Sequence, residues 1–234
     1  MQIADKSEAL LKRVLAEGFA IVSDILPEEG IVTLLAGLEK PDLPRSRAGL
    51  RHAMRIEGIS ALARDARLLQ LAKDVLGSNA LPFRATLFDK SPASNWLVVW
   101  HQDTALPLRA RRGVPDWGPW SIKNGVNYAH APSSALEQVL AIRLHLDDSS
   151  ADNGPLRVLP RTHTLGVLSD EQLHDLSTTI APVDCLVPRG GVLAMRPLIV
   201  HASSKSQSEK PRRVLHIEYA ATFQLAPGLH LAVS

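Results

Sequence analysis

The chain holds one cysteine, Cys185, among 234 residues. Internal disulfides are therefore excluded, and the usage fits a reducing, cytoplasmic setting. The lone thiol reads as a small buried hydrophobe. Long apolar runs are also missing: none reaches the roughly 20 residues that a bilayer crossing needs. Asp5 and Glu8 stand in an N-terminus without an apolar stretch, which argues against a signal peptide. Net charge is only +2, which points to neither a nucleic-acid nor a membrane partner. There are no internal repeats and no low-complexity tract. What is present is 45% hydrophobic content, enough for a sizeable core, and one domain over residues 1–234 is expected, as a monomer or homodimer.

The stretch richest in chemistry is Trp100-His101-Gln102-Asp103, read together with His201. The apolar run Trp96-Leu97-Val98-Val99-Trp100 before it reads as a strand. Side chains alternate faces along a strand, so His101 and Asp103 point the same way and can reach one metal. Two imidazoles and one carboxylate on one face of an octahedral ion leave three positions open, the arrangement of non-haem Fe(II) oxygenases. Such a short pair arises easily by chance and takes its weight from context. That context is the apolar strand over residues 191–200, which delivers His201 at its end, with Ser203 on the same face. Arg212 follows His201 by eleven residues and opens the strand Arg212–Tyr219. A hairpin between these strands would bring Arg212 and Ser203 to the metal. A guanidinium there can grip the distal carboxylate of a dicarboxylate through two bonds at once.

Several stretches together resemble the phytanoyl-CoA dioxygenase family of Fe(II)/2-oxoglutarate oxygenases. They are residues 17–29 (EGFAIVSDILPEE), 88–92 (FDKSP), 100–103 (WHQD), 151–166 (ADNGPLRVLPRTHTLG), 201–204 (HASS) and 211–220 (PRRVLHIEYA). The resemblance implies a mainly β fold with flanking α: a double-stranded β-helix (jelly roll, cupin-like) barrel with N-terminal helices packed outside. It implies Fe(II) on His101, Asp103 and His201, with 2-oxoglutarate and O2 as cosubstrates. The 5-carboxylate of 2-oxoglutarate would lie on Arg212 and Ser203. Thr86, Phe88 and Lys90 match positions that line the cosubstrate pocket, although Lys90 reads equally as a strand-end lysine in solvent. Gln102 and Arg143 join the cofactor-binding group, Arg143 facing either the cosubstrate or an acid group of the substrate. Two turns depart from the family pattern, Arg161 where glycine is usual and Gly191 where aspartate is common, and both bear on turn geometry.

Helices are expected over Ser7–Leu15, from Pro27-Glu28-Glu29 through Leu38, and over Ser60–Leu76, closed by Gly77. With the short strand Phe19–Val22, residues 1–78 read as a mainly helical part without chemistry. Residues 79–223 read as the jelly-roll core, beginning with the strand Leu81–Phe88. Leu140–Leu146 alternates and places Arg143 and His145 on one face, where an inward arginine needs an anion. His145 reads as a satisfied interior histidine, and His163, the one competing metal candidate, reads as supporting or structural. Asp152-Asn153-Gly154 supplies a tight hairpin. Residues 104–136 have low regularity and read as a lid over the iron. Within it Arg109, Arg111 and Arg112 either grip an anionic substrate or stay solvated. Trp117 and Trp120 either close over the substrate or pack on the barrel. Arg84, Arg109, Trp117 and Trp120 are the substrate-contact candidates.

These residues read as a dioxygenase that hydroxylates an unactivated C–H of a small organic molecule, releasing succinate and CO2. Halogenating relatives carry a small residue in place of the carboxylate ligand, so Asp103 favours hydroxylation. Two alternatives stay open: a cupin-type metalloenzyme that does not use 2-oxoglutarate, and a non-catalytic jelly-roll binding module. Arg212 at its distance from His201 argues against the first, and retention of all three ligands against the second.

Overall fold

A computed structural model describes residues 3–38 and 49–234. The part of the expected helical region that falls on residues 1–2 and 39–48 lies outside the described residues. The N-terminal part holds α1 (Ile3–Glu17), β1 (Phe19–Val22), α2 (Glu28–Leu38), β2 (Gly49–Leu50), α3 (Glu57–Ala63) and α4 (Ala66–Leu76). The single helix expected over Ser60–Leu76 is thus two. Asp65 divides them: its backbone is extended, and its carboxylate accepts from the Arg67 N–H at 2.9 Å, capping α4.

Next come β3 (Leu81–Lys90), β4 (Val98–His101), β5 (Ala105–Leu108), β6 (Trp120–Lys123), β7 (Val126–His130) and the short α5 (Ser133–Leu136). They are followed by β8 (Val139–His145), β9 (Leu156–Val158), α6 (Asp170–Thr179), β10 (Val183–Cys185) and β11 (Val192–Met195). The chain ends with β12 (His201–Ser203), β13 (Arg212–Ala220), β14 (Gln224–Ala226) and β15 (Leu229–His230).

Six strands form one antiparallel sheet in the order β1-β11-β8-β13-β3-β2, and four form a second in the order β10-β9-β12-β4. Strand β8 shows how period-two alternation builds the layers. Leu140, Ile142 and Leu144 join Leu10 and Val14 of α1 and Leu68 and Leu71 of α4 in a core outside the sheet. The alternate residue Ala141 packs with Leu156, Val158 and Cys185 in a core shared with the second sheet. Arg143, on that same inner face, lines a cavity between the sheets. The mainly β, double-stranded β-helix architecture with outer helices is therefore the one observed. Its two sheets stay separate instead of closing into a barrel.

Three expectations need correction. The irregular lid over residues 104–136 carries a three-stranded sheet, β5-β7-β6. Its polar, glycine- and proline-rich turns hide short strands whose apolar residues, Leu106, Leu108 and Ala129, form a separate core with Trp117. The apolar strand before His201 stops at Met195, where Arg196-Pro197 turns the chain, and His201 opens a new strand instead of ending the old one. Finally, β12 and β13 form no hairpin: β12 pairs with β4 and β9, whereas β13 pairs with β3 and β8 in the facing sheet.

Leu71 seals α4 against the outer face of the six-stranded sheet and is buried. Leu71→Ala is expected to cost about 2–5 kcal/mol, read from urea unfolding midpoints. A loss below ~1 kcal/mol would show that α4 does not seal that face.

Candidate metal centre and anion pocket

Alternation along β3 sets Arg84, Thr86, Phe88 and Lys90 on one wall of a cavity of about 350 Å³. Strand β13 adds Arg212 and His216, which stand in register with Lys90 and Thr86 respectively, and His216 is also opposite Arg143. The facing sheet contributes His101, His201 and Ser203. His101 and His201 are direct cross-strand partners, with ring centroids 4.2 Å apart.

Asp103 completes the cluster. Its Oδ1 lies 3.8 Å from His101 Nε2 and its Oδ2 3.6 Å from His201 Nε2. Each histidine Nδ1 sits against the carbonyl two residues upstream, His101 at 2.8 Å from Val99 and His201 at 2.9 Å from Ile199. With Nδ1–H donating to that carbonyl, each Nε2 lone pair is turned toward Asp103, the tautomer that a metal ligand needs. Burial, outweighing Asp103, pushes His201 down to about 4, so the ring is neutral at pH 7. For Asp103, burial opposes ionisation, but His201, His216, His101 and Arg84 together hold its carboxyl well below the usual range. Potential ligand atoms of all three residues lie within 4.8 Å of one another. Two imidazoles and an ionised carboxylate on one wall fit a ferrous ion with open positions.

Gln102 lies between two of these ligands and its side chain is fully engaged. Its Nε2 donates to Leu198 O at 2.7 Å and Gly166 O at 2.9 Å, and its Oε1 accepts from the Leu168 N–H at 2.9 Å. No donor remains for a cofactor. Gln102 borders the cavity with its amide committed to the backbone, which positions the segment that carries the ligands.

The inner end of the cavity gathers Lys90, Arg143 and Arg212, all buried. Lys90 Nζ donates to Ser203 Oγ at 2.9 Å and Ser204 O at 2.6 Å. Arg212 Nε donates to Asn153 O at 3.2 Å, and its Nη2 is 3.5 Å from Ser203 Oγ. Arg143 Nη1 is 3.0 Å from His216 Nδ1, its Nε is without a partner, and its guanidinium lies 5.2 Å from the Phe88 ring centroid. Among the described residues, none of the three cations has a carboxylate partner. Burial, then the neighbouring Arg212 and Arg143, pushes Lys90 down to about 7. Burial first also lowers Arg143 and Arg212, each to about 10. Cations so placed form a site for an anion. Gly154 is required beside it: its carbonyl accepts from Ser203 Oγ at 2.9 Å, its φ is +68°, and a Cβ would stand 2.4 Å from Ser204 O.

The other sequence candidates separate. Arg84 lines the cavity but is paired with Glu218, and its Nη1 donates to Ala105 O at 3.0 Å. Trp117 is core, and Trp120 in β6 packs partly against that core, with the Arg111 guanidinium 5.9 Å from its ring centroid. Arg109, Arg111 and Arg112 are exposed and outside the cavity wall. All three follow β5 in its connection to β6, so of their two readings the solvated one fits. His163 reaches Leu15 O at 3.3 Å and is not part of the ligand cluster, and His145, expected to be satisfied, is buried with no partner on either ring nitrogen. Arg161 adopts the left-handed backbone that glycine would take (φ 70°) and pairs with Glu17 at 2.9 Å, so the turn survives the substitution.

Sequence reasoning passed over His216 and Glu218, which share the inward face of β13 with Arg212 by simple alternation. It also passed over Arg51, His52, Lys123 and Tyr128, which line the outer cavity. The N-terminal part thus contributes to the cavity after all.

The sequence profile described as Phytanoyl-CoA dioxygenase (PhyH) matches residues 15–214. The chain belongs to the phytanoyl-CoA dioxygenase family. The relatives of this family member include L-proline trans-4-hydroxylase of Streptomyces griseoviridis, 26% identical over 189 residues. That match covers 70% of this chain and 63% of the relative, so the chain spans less than two thirds of that enzyme. Among solved structures, AviO1 from Streptomyces viridochromogenes Tue57 shares the fold with a TM-score of 0.68 at 22% identity, over 92% of this chain and 94% of that one. The epimerase SnoN in complex with Fe3+, alpha ketoglutarate and nogalamycin RO gives 0.70 at 16% identity, over 94% and 85%. EctD from S. alaskensis, with 2-oxoglutarate and 5-hydroxyectoine, gives 0.68 at 18%, over 94% and 76%. No helix among the described residues is long and apolar enough to cross a membrane.

Asp103→Ala is expected to weaken Co(II) binding by more than the ~10–100-fold that follows loss of a ligand's supporting hydrogen bond. Visible absorption titration measures it, and an unchanged affinity would remove Asp103 from the ligand set.

Proposed function

We propose that this family member is an Fe(II)- and 2-oxoglutarate-dependent dioxygenase that hydroxylates a C–H bond of a small organic substrate, releasing succinate and CO2. One observation carries this reading: a His-Asp-His cluster and three buried cations without acidic partners among the described residues open into the same cavity. Neighbours of the same fold that hold Fe3+ and 2-oxoglutarate support the cofactor pair, and the proline hydroxylase relative supports hydroxylation.

His101, Asp103 and His201 would hold the metal. A ferrous ion bound there, with 2-oxoglutarate and O2, supplies the oxidising chemistry that no side chain can. Arg212 and Ser203, joined by Lys90, would take the 5-carboxylate, for which a fork of N–H donors and a hydroxyl give a directional grip. Arg143 faces the same region and offsets the second negative charge of the dianion. Thr86 and Phe88 form the wall between the cation cluster and the ligands, and Leu156 and Trp96 help to exclude water. Asp103 fills the third protein position, which favours hydroxylation over halogenation.

Anaerobic addition of Fe(II) and then 2-oxoglutarate is expected to produce the weak visible metal-to-ligand charge-transfer band. In Arg212→Ala the 2-oxoglutarate needed for half-maximal signal should rise about 10–100-fold, as loss of a charged hydrogen bond implies. Iron binding without a band in the wild type would sink the cosubstrate assignment.

Lys90 gives an independent check. With its ammonium held near 7, the side chain is mostly neutral at pH 8, and an arriving carboxylate raises its pKa again. Binding at pH 8 should therefore take up a proton, and affinity should rise as pH falls toward 7 and level off below it. Calorimetry in buffers of different ionisation enthalpy measures the uptake, and Lys90→Met should abolish it. Equal uptake in the variant would place the titrating group elsewhere.

A further inference from the structure

The outer half of the cavity carries chemistry that neither the metal nor the cosubstrate uses. It is built around Tyr128 of β7. Lys123 Nζ lies 5.0 Å and the Arg84 guanidinium 5.9 Å from the Tyr128 ring centroid, and the His52 ring stands edge-on at 6.3 Å. Arg84 is neutralised by Glu218. Arg51 and Lys123 have no acidic partner among the described residues, and both line the cavity. They are near enough for burial and then Arg51 to disfavour the charge on Lys123.

His52 is the second, independent observation. It is only 6% exposed, it lines the same cavity, and neither ring nitrogen makes a hydrogen bond. The backbone of Lys123 approaches the ring without completing one. Its backbone is left-handed, with φ 56°, an uncommon conformation for a side chain of this size. A buried donor and acceptor that the protein leaves unpaired, held in a sparsely populated backbone conformation, mark a place where a ligand completes the bonding.

We propose that this outer half receives the carboxylate of a small acidic substrate, with Arg51 and Lys123 as charge partners and His52 as hydrogen-bond donor. The inference rests on the oxygenase reading above for what happens to that substrate. Size favours a small molecule: about 350 Å³ is near the lower end of ligand pockets and must also hold the cosubstrate. Arg84 links the two halves. Its guanidinium approaches the Tyr128 ring, and its Nη1 donates to Ala105 O, two residues beyond Asp103, so a carboxylate held at Tyr128 leaves the rest of a short molecule beside the ligand cluster.

The test uses the full chain loaded anaerobically with Fe(II) and saturating 2-oxoglutarate, which keeps the inner anion site filled. Proteinogenic amino acids and short monocarboxylic acids are each compared with their primary amides by thermal shift. At least one acid should raise Tm where its amide does not. The affinity of the best acid should fall about 10-fold or more in Arg51→Gln and in Lys123→Gln, the loss expected for a bond to a charged group. Arg109→Gln, at an exposed arginine outside the cavity, should leave it unchanged. The proposal is overturned if no acid raises Tm, if amides match their acids, or if both variants bind within about 2-fold of wild type. The Tm response of the wild type to 2-oxoglutarate alone reports separately on the oxygenase reading. If that response fails while acid-over-amide selectivity still depends on Arg51 and Lys123, the cosubstrate assignment falls and the carboxylate site stands.

Discussion

Like charge gathered in a dry interior is the constraint on which the rest of the molecule turns. Lys90, Arg143 and Arg212 come from three neighbouring strands, β3, β8 and β13, and all face the space between the sheets. Their mutual repulsion and lost hydration push the chain apart at that point. The opposite faces of the same strands pull it together, because Leu87, Leu140, Ile142, Leu144, Leu215 and Ile217 are sealed under the N-terminal helices. The helices have no catalytic group of their own over most of their length. They hold in place strands whose inner faces would otherwise prefer water. An anion binding to the native state alone would relieve the repulsion and add to stability by mass action.

Charge along the cavity is ordered. Asp103 stands among His101, His201, His216 and Arg84, so the one carboxylate of the metal cluster lies in surroundings that keep it ionised. The inner end is cationic through Lys90, Arg143 and Arg212, and the outer end through Arg51 and Lys123. Glu218 neutralises Arg84 between the two ends and prevents the positive charge from becoming continuous. A cation held at the middle and anions at either end would complete this pattern, so the cation and each anion favour one another's binding through their charges.

Much of this was legible from alternation alone. Arg84, Thr86, Phe88 and Lys90 follow one another at spacing two in β3, and the apolar residues between them fill the outer core. Arg143 in β8 obeys the same rule, as do His216 and Glu218 in β13 at spacings of four and six from Arg212. Other parts carried no local signal. Short strands separated by glycine and proline turns do not show a period long enough to read, so β5 to β7 looked like loop. His52 takes a left-handed backbone that its residue type does not announce. That β12 and β13 lie in facing sheets depends on pairings with β4, β9, β3 and β8, all distant in sequence.

Gln102 shows how alternation divides labour within three residues. His101 and Asp103 face the cavity, and the residue between them is bolted from behind to Leu198, Gly166 and Leu168. The position of the ligand strand therefore does not depend on the ligands themselves. A substitution at Asp103 alters the coordination sphere without releasing the bolt that sets His101. The ligand set and the support of its segment are thus separate: a side chain in the cluster can be exchanged without disturbing the amide that anchors the backbone behind it.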